Sequence, residues 1–155
     1  MCISGDGIAL DAVRVDFAAG AVEQLVTRHA PDHDVLWIEG QGSILHPAST
    51  AWLPLVRGAC PTHLVLCHRA GQTRIARVAV PMPPLREVAA LYEAVASVGG
   101  VTPGPRVVGV ALNCGHLDDA AARTALAVAE ADTGLPTVDV VRDGASRLLD
   151  AIFVS

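Results

Sequence analysis

The chain contains no lysine, so each of its 11 basic residues is an arginine. This excludes any chemistry that depends on a lysine of this chain, whether as a Schiff base or as the cation that holds a phosphate group. C-x-x-C pairs are also absent, and no signal peptide precedes the four cysteines, which predicts reduced thiols in a cytoplasmic protein. No apolar run approaches the roughly 18–20 residues of a membrane helix, so we expect no membrane-spanning segment.

Aromatic residues make up only 3% of the chain, although 52% of its residues are apolar and its mean hydropathy is +0.44. The core must therefore be built from alanine, valine and leucine, as in a parallel sheet covered by alanine-rich helices. The surplus apolar surface is expected to be buried within the chain or against a partner. A net charge of −5, without a basic stripe, argues against nucleic-acid binding.

Short apolar segments of strand character alternate with helical segments along the chain. The predicted strands are 35–38, 63–67, 106–112 and 137–141, and the predicted helices are 11–29, 51–57, 84–98, 119–132 and 144–153. Strands that alternate with helices form β-α units, whose right-handed crossovers give a parallel sheet. The sequence thus predicts one α/β domain over residues 1–155, a mostly parallel sheet with helices on both faces.

Two helices carry clear terminal signals. Asp11 is predicted to cap a helix that Pro31 ends, and Asp118 is predicted to cap another that ends at Gly134. The buried face of the first helix is expected to follow a stripe of apolar residues: Val13, Phe17, Ala21 and Leu25, with Val22 and Val26 beside it.

The segment 34–43 is the most informative part of the sequence. A short apolar stretch ends at Glu39 and is followed at once by Gly40 and Gly42. Because open α/β sheets bind ligands at the carboxyl ends of their strands, an acid and a glycine loop at this place predict a ligand site. The alternative is a strand followed by an ordinary turn. The two glycines favour the site, because a backbone without Cβ atoms can approach an anion closely.

Glu39 and Asn113 stand where nucleotide-binding folds of the P-loop kind place functional side chains. Glu39 corresponds to the acid that holds Mg²⁺, and Asn113 to an amide that reads a base; a solvated acid and a turn-capping asparagine are the alternatives. The phosphate loop G-x-x-x-x-G-K-[ST] is absent, although Gly99 and Gly104 have the spacing of its glycines. The isolated chain is therefore not expected to be a complete nucleotide triphosphatase.

Two histidines follow predicted apolar segments on the expected ligand side. His46 lies near Ser43, and His68 lies near Gln72 and Arg74. Each histidine either lines a site or is an ordinary hydrogen-bonding residue of a loop. A serine hydrolase is poorly supported, because Ser43 lacks the surrounding G-x-S-x-G pattern.

Four runs of the chain resemble one protein family: SGDGIALDAVRVDFAAGAVEQLV, DHDVLWIEGQGSILHP, LVLCHRAGQTRI and VVGVALN. They are similar to the domain-of-unknown-function 1611 family, whose described activity is D-glutamate N-acetyltransferase, and more distantly to dethiobiotin synthetase. The resemblance implies a P-loop NTPase-like C-terminal domain that follows an N-terminal domain and the phosphate loop. Both are missing from this sequence, so the expected sheet is incomplete and lacks the phosphate-loop strand. A homo-oligomer or the missing N-terminal domain is expected to complete it.

The resemblance also implies acetyl transfer from acetyl-CoA to an acidic D-amino acid, a small-molecule substrate. Position and chemistry then suggest roles for individual side chains. Glu39 or His46 is the predicted base. The predicted contacts to the substrate are Asp6, Gln41, Ser43, His68 and Arg74, and those to the cofactor are Gly40, Gly42 and Asn113. Two alternatives remain: an ATP- and Mg²⁺-dependent ligase or kinase of the dethiobiotin synthetase type, with Glu39 on the metal, and a catalytically silent fragment.

Overall fold

The computed structural model of the protein describes residues 6–40, 42–75, 77–97 and 104–153. Gln41, Gly99 and Val98, the predicted end of a helix, therefore lie outside the described residues, as does the side chain of Asp11. The chain divides into two compact units, Met1–Pro61 and Thr62–Ser155. Throughout the described ranges, every helix is too short or too polar to cross a membrane.

The first unit is helical. Helix α1 spans Val15–His29 and helix α2 spans Trp52–Ala59, with short 3₁₀ helices at Leu10–Ala12 and Ala30–Asp32. Its small core consists of Leu10, Ala18 and Val22, against which Leu55 and Ala59 of α2 pack. The two helices approach closely, because a Cβ atom at Gly58 would lie 2.2 Å from the Ala19 carbonyl oxygen.

The predicted start of α1 is wrong, and its predicted buried face is confirmed at Val22 and contradicted at Phe17. The helix begins at Val15, after Arg14, which makes no side-chain capping bond. Phe17, assigned to the buried stripe, is 66% exposed, whereas Ala18 and Val22 are buried. Packing against α2 selects this face, because only small side chains allow the two backbones to come so close at the contact.

The predicted strand 35–38 is absent. No residue described between 33 and 40 is helical or extended in a ladder, and Trp37 is 66% exposed while Val35 and Ile38 are also exposed. A strand forms only where its N–H and C=O groups find a ladder partner. The described residues of this first unit form helices and turns, so none of them offers such a partner.

The second unit carries the sheet. Its strands are β1 (His63–Arg69), β2 (Arg106–Asn113) and β3 (Thr137–Val138), and its helices are α3 (Leu85–Ala96), α4 (Asp119–Thr133), α5 (Val140–Asp143) and α6 (Ser146–Phe153). Both strand pairs are parallel, in the order β1-β2-β3. The predicted α/β class and parallel pairing are thus confirmed, with three strands in the described chain where the sequence suggested four.

Different helices cover the two faces of β2. Side chains alternate along a strand: Leu112 packs with Ala122 and Ala129 of α4, whereas a Cβ atom at Gly109 would lie 2.4 Å from Leu148 Cδ2 of α6. Val110, in the middle of the strand, is completely buried. Helices on both faces, as the sequence predicts, therefore protect the central strand from water.

The terminal signals of α4 are confirmed. The Asp118 carboxylate accepts a hydrogen bond from the Ala121 N–H (2.8 Å), and Gly134 ends the helix with φ +69°. The last strand is shorter than predicted. The chain turns after Val138 because the carboxylate of Asp139 accepts a bond from the Val141 N–H (3.2 Å) and begins α5.

Asp139 and Arg142 form a partly buried ion pair that holds α5 against the start of α4. Arg142 Nη1 donates to the Asp139 carboxylate (2.6 Å), and Nη2 donates to the Leu117 carbonyl (2.6 Å). Asp139 is only 3% exposed. Burial alone would raise the pKa of Asp139, but the hydrogen bond from Arg142 and those from the Val141 and Arg142 N–H groups hold it below its usual value.

We expect Asp139→Asn to lower the free energy of unfolding by about 2–3 kcal/mol near neutral pH, because it leaves Arg142 without its buried anion. A carboxylate whose pKa is lowered by folding stabilises the protein above its unfolded pKa, and this contribution is lost as the pH falls through the folded pKa. The variant should therefore also lose stability less steeply than the parent below about pH 4. Urea melts at stepped pH test this. The exposed Asp150→Asn is the control, and equal melts for the two variants would contradict the prediction.

Candidate functional site

An open pocket of about 440 Å³ lies in the first unit, along the loop that begins at Gly42. Its described lining consists of Gly42, Ser43, His46, Ala48, Ser49, Thr50 and Ala51. Two successive turns shape it: the His46 N–H donates to the Ser43 carbonyl (3.0 Å), and the Ser49 N–H donates to the His46 carbonyl (2.9 Å). Pro47 suits the second position of the second turn, because its ring fixes φ near the value needed there.

Gly42 and Ser49 fix the wall of the pocket. Gly42 has φ +80°, and a Cβ atom on it would lie 2.0 Å from Ser49 Oγ. That hydroxyl oxygen accepts a hydrogen bond from the Ser43 N–H (3.1 Å). Ser43 Oγ in turn accepts from the Leu45 N–H (3.3 Å). A glycine is thus required at position 42 both by the backbone angle and by the space that Ser49 occupies.

His46 is held by the same loop. The Ala48 N–H donates to His46 Nδ1 (3.2 Å), so this nitrogen acts as an acceptor. A neutral imidazole has one acceptor and one donor nitrogen. In the neutral ring, the proton of His46 is therefore on Nε2.

The lining combines hydroxyl, imidazole and methyl groups and has no carboxylate or guanidinium among its described residues. Among its described residues, the side chains that can form hydrogen bonds are the hydroxyls of Ser43, Ser49 and Thr50 and the imidazole of His46. Such groups match a carbonyl, amide or alcohol, whereas a carboxylate or phosphate is usually bound by arginine or by several N–H groups. This pocket therefore fits an uncharged polar part of a ligand.

The structure brings three of the predicted site residues together: Gly42, Ser43 and His46. Glu39 and Gly40 precede the pocket in the chain, are exposed and do not line it, and Gln41 lies outside the described residues. The N–H of Ser43, which directly follows Gly42, is already bonded to Ser49. The loop therefore offers one fewer backbone donor than its sequence suggests.

Asp6 lies elsewhere in the first unit. Its carboxylate accepts hydrogen bonds from the Gly7 N–H (3.0 Å) and from Arg28 Nη1 (2.8 Å), and it lies 3.6 Å from His29 Nε2. The bond from Gly7 and these two neighbours lower the pKa of Asp6, against the opposing effect of its partial burial. Asp6 thus joins the chain start to the end of α1 and does not line the pocket.

The remaining predicted residues belong to the second unit. His68 of β1 pairs with Leu112 of β2 near the carboxyl ends of these strands. Burial there lowers the pKa of His68. Asn113 ends β2, and its side-chain oxygen accepts a bond from the Gly115 N–H (3.0 Å). Arg74 is exposed in a separate turn, where it donates to the Ala79 carbonyl (3.4 Å). His68 and Asn113 therefore share one sheet edge, and Arg74 does not belong to it.

Four lining residues were not predicted as part of a site: Ala48, Ser49, Thr50 and Ala51. The sequence offers a weak signal for them, since proline followed by small and hydroxyl residues indicates a turn. That signal predicts a loop, but it does not predict that Ser49 comes back into contact with Gly42. The contact between Ser49 and the glycine pair depends on two turns in succession, which periodicity does not reveal.

The described residues contain no group of three or more His, Cys, Asp or Glu side chains placed to hold a metal ion. Glu39 thus stands as a single exposed carboxylate. Mg²⁺ is commonly held by one or two carboxylates together with phosphate oxygens and water. Within the segment 34–43, Glu39 is a side chain that fits such a role.

Comparison with known proteins identifies relatives over nearly the whole chain. The family model described as "Domain of unknown function (DUF1611_C) P-loop domain" matches residues 1–149. A D-glutamate N-acetyltransferase from Tritonibacter scottomollicae is 38% identical over 97% of this chain, and one from Pseudoalteromonas sp. is 33% identical over 95%. The chain spans 45% and 44% of the length of these two curated relatives.

A solved structure shows the same fold. The crystal structure of a DUF1611 family protein from Anabaena variabilis ATCC 29413 is 62% identical in sequence and superposes with a TM-score of 0.93. The match covers 97% of this chain and 44% of that one. In sequence and in fold, the chain is thus similar to slightly less than half of each of these longer proteins.

Proposed function

Because the chain belongs to the DUF1611 family, to the part that the family model describes as a P-loop domain, we propose that it takes part in acetyl transfer from acetyl-CoA to D-glutamate or a related acidic D-amino acid. The observation that carries the proposal is the name D-glutamate N-acetyltransferase on two relatives that match almost the whole chain. Since the chain spans less than half of each relative, it supplies one part of that activity.

Acetyl transfer to an amine sets clear chemical requirements. The ammonium group must lose a proton, its nitrogen then attacks the thioester carbonyl, and the carbon–sulfur bond breaks to release the thiol of coenzyme A. Hydrogen-bond donors must stabilise the oxygen of the tetrahedral intermediate. The pocket around His46, with its hydroxyl, imidazole and methyl groups, suits the thioester. Glu39 is an exposed carboxylate of the same unit that can accept the proton.

An ATP- and Mg²⁺-dependent ligase or kinase is the second candidate. It is favoured by the P-loop description of the family model and by the position of Asn113 at the carboxyl end of a parallel strand, where open sheets bind nucleotides. The absence of lysine from the chain counts against it, because a phosphate loop uses a lysine to bind the phosphates.

A chimera tests the proposal. The matching 152-residue region of the Tritonibacter enzyme is replaced by this chain, and release of free coenzyme A thiol is followed with D-glutamate and with L-glutamate. We expect acetyl-CoA turnover that depends on D-glutamate. A chimera that is folded and monodisperse yet inactive, beside an active parent enzyme, would overturn the proposal. Turnover that instead requires ATP and Mg²⁺ would support the second candidate.

A further inference from the structure

The loop around His46 restricts which of its two ring nitrogens carries the proton. Its Nδ1 accepts the Ala48 N–H (3.2 Å), while the His46 N–H and carbonyl are both used in the two turns. A proton on Nδ1 would face the Ala48 N–H, and the two donors would repel. The loop therefore selects the tautomer with its proton on Nε2 and opposes the other one.

A general base needs the opposite arrangement. To take a proton at Nε2, the ring must begin with its proton on Nδ1, which is the nitrogen that Ala48 occupies. As a hydrogen-bond donor, in contrast, the ring is ready as it stands. Donors that are fixed before the reaction contribute most to stabilising an oxyanion, because they need no reorganisation.

The other groups in the pocket indicate what His46 donates to. The described lining adds hydroxyls from serine and threonine and the methyl groups of two alanines, without a charged side chain. This surrounding suits an uncharged carbonyl flanked by an apolar group and does not suit a carboxylate. An acetyl thioester is such a group.

We infer that His46 is a fixed hydrogen-bond donor, through Nε2–H, to the carbonyl oxygen of the acetyl thioester and that it is not the general base of the reaction. The inference rests on the proposed acetyl transfer for the identity of the ligand, but the tautomer follows from the loop alone. It assigns the 42–51 pocket to the acyl donor, and it leaves the removal of the ammonium proton to another group.

Two substitutions separate a donor from a base. In His46→Gln the side-chain amide reaches the place of Nε2 and can still donate, whereas in His46→Asn the shorter amide reaches only the place of Nδ1. Neither amide can act as a base. If His46 is a donor, His46→Gln should retain most of the acetyl transfer and His46→Asn should lose it. If His46 is a base, both variants should lose acetyl transfer equally.

The test uses NMR on the 155-residue chain with acetyl-CoA labelled at the acetyl carbonyl. We expect the imidazole correlations of His46 to show a proton on Nε2 in the free chain. We also expect the labelled carbonyl resonance to move downfield with the parent and with His46→Gln, and to stay at its free position with His46→Asn.

The outcomes distinguish this inference from the proposed function. A proton on Nδ1, or equal carbonyl shifts with the Gln and Asn variants, would overturn the donor role. Acetyl-CoA that binds without a carbonyl shift would overturn the donor role and still support the proposed function. A chain with the Nε2 tautomer that fails to bind acetyl-CoA would overturn the assignment of the 42–51 pocket to the acyl donor, whereas the proposed function is overturned only by an inactive chimera.

Discussion

Gly42→Ala is expected to lower kcat/KM for acetyl transfer in the chimera about 100-fold, the size of effect that a misplacement of roughly 1 Å in a reacting site produces. Gly42 has φ +80°, and a methyl group on it would lie 2.0 Å from Ser49 Oγ. The Ser49 hydroxyl must then move, and the hydrogen bond that it accepts from the Ser43 N–H (3.1 Å) is lost. The wall that Gly42 and Ser49 give to the pocket then changes shape.

Gly71→Ala is the matched control. Gly71 has φ +71°, so alanine there carries the same backbone cost of about 1–2 kcal/mol, but nothing lies within 4 Å of its new methyl group. We expect less than a roughly threefold change in kcat/KM, because the cost is confined to the stability of one turn. Equal activity losses in the two variants would show that backbone strain, and not the shape of the pocket, explains the effect.

Gly58→Ala is expected to lower the free energy of unfolding by about 3 kcal/mol, at the upper end of the usual cost of overpacking. The added methyl group would lie 2.2 Å from the Ala19 carbonyl oxygen and 2.7 Å from Val22 Cβ. Neither atom can move away without shifting the backbone of α1, so the two helices must separate. Because the core of this unit is small, little other packing offsets the loss.

Gly20→Ala controls for the general effect of an added methyl group in a helix. Gly20 lies within α1, and nothing is within 4 Å of a Cβ atom placed there. Removing a glycine from a helix interior should raise the free energy of unfolding by about 0.5–1 kcal/mol. Urea melts of both variants give the comparison. A Gly58→Ala midpoint equal to that of the parent would mean that α1 and α2 do not pack as described.

The second unit could be predicted well from the sequence because its signals are local. Asp118 and Gly134 delimit α4 through a carboxylate acceptor and a left-handed backbone, which depend only on neighbouring residues. The apolar segment of β2 is long and bounded by turn residues, so its strand character was evident. Parallel pairing then follows from the alternation of strands and helices.

The first unit could be predicted less well because its structure depends on contacts between distant residues. A strand at 35–38 requires a neighbouring strand, which the described residues of this unit do not supply. The buried face of α1 is chosen by its fit to Gly58, not by the largest apolar side chains, so Phe17 is exposed. Amino-acid periodicity contains neither kind of information.

In the candidate site too, the residue types could be predicted from the sequence, but the contacts between the residues could not. Gly42 and His46 were recognisable by residue type, but Ser49 joins them only through two consecutive turns. The tautomer of His46 depends on the direction of a single N–H, that of Ala48. The proposed change of role from base to donor rests on this hydrogen bond, and no pattern in the sequence indicates it.

Calorimetric titration of the 155-residue chain with acetyl-CoA, and separately with ATP and Mg²⁺, tests the central claim most directly. The proposed function predicts binding heat with acetyl-CoA that Gly42→Ala removes and Gly71→Ala preserves, because the thioester occupies the pocket beside Ser49. Heat with ATP and Mg²⁺ but none with acetyl-CoA would contradict the assignment of this pocket to an acyl donor.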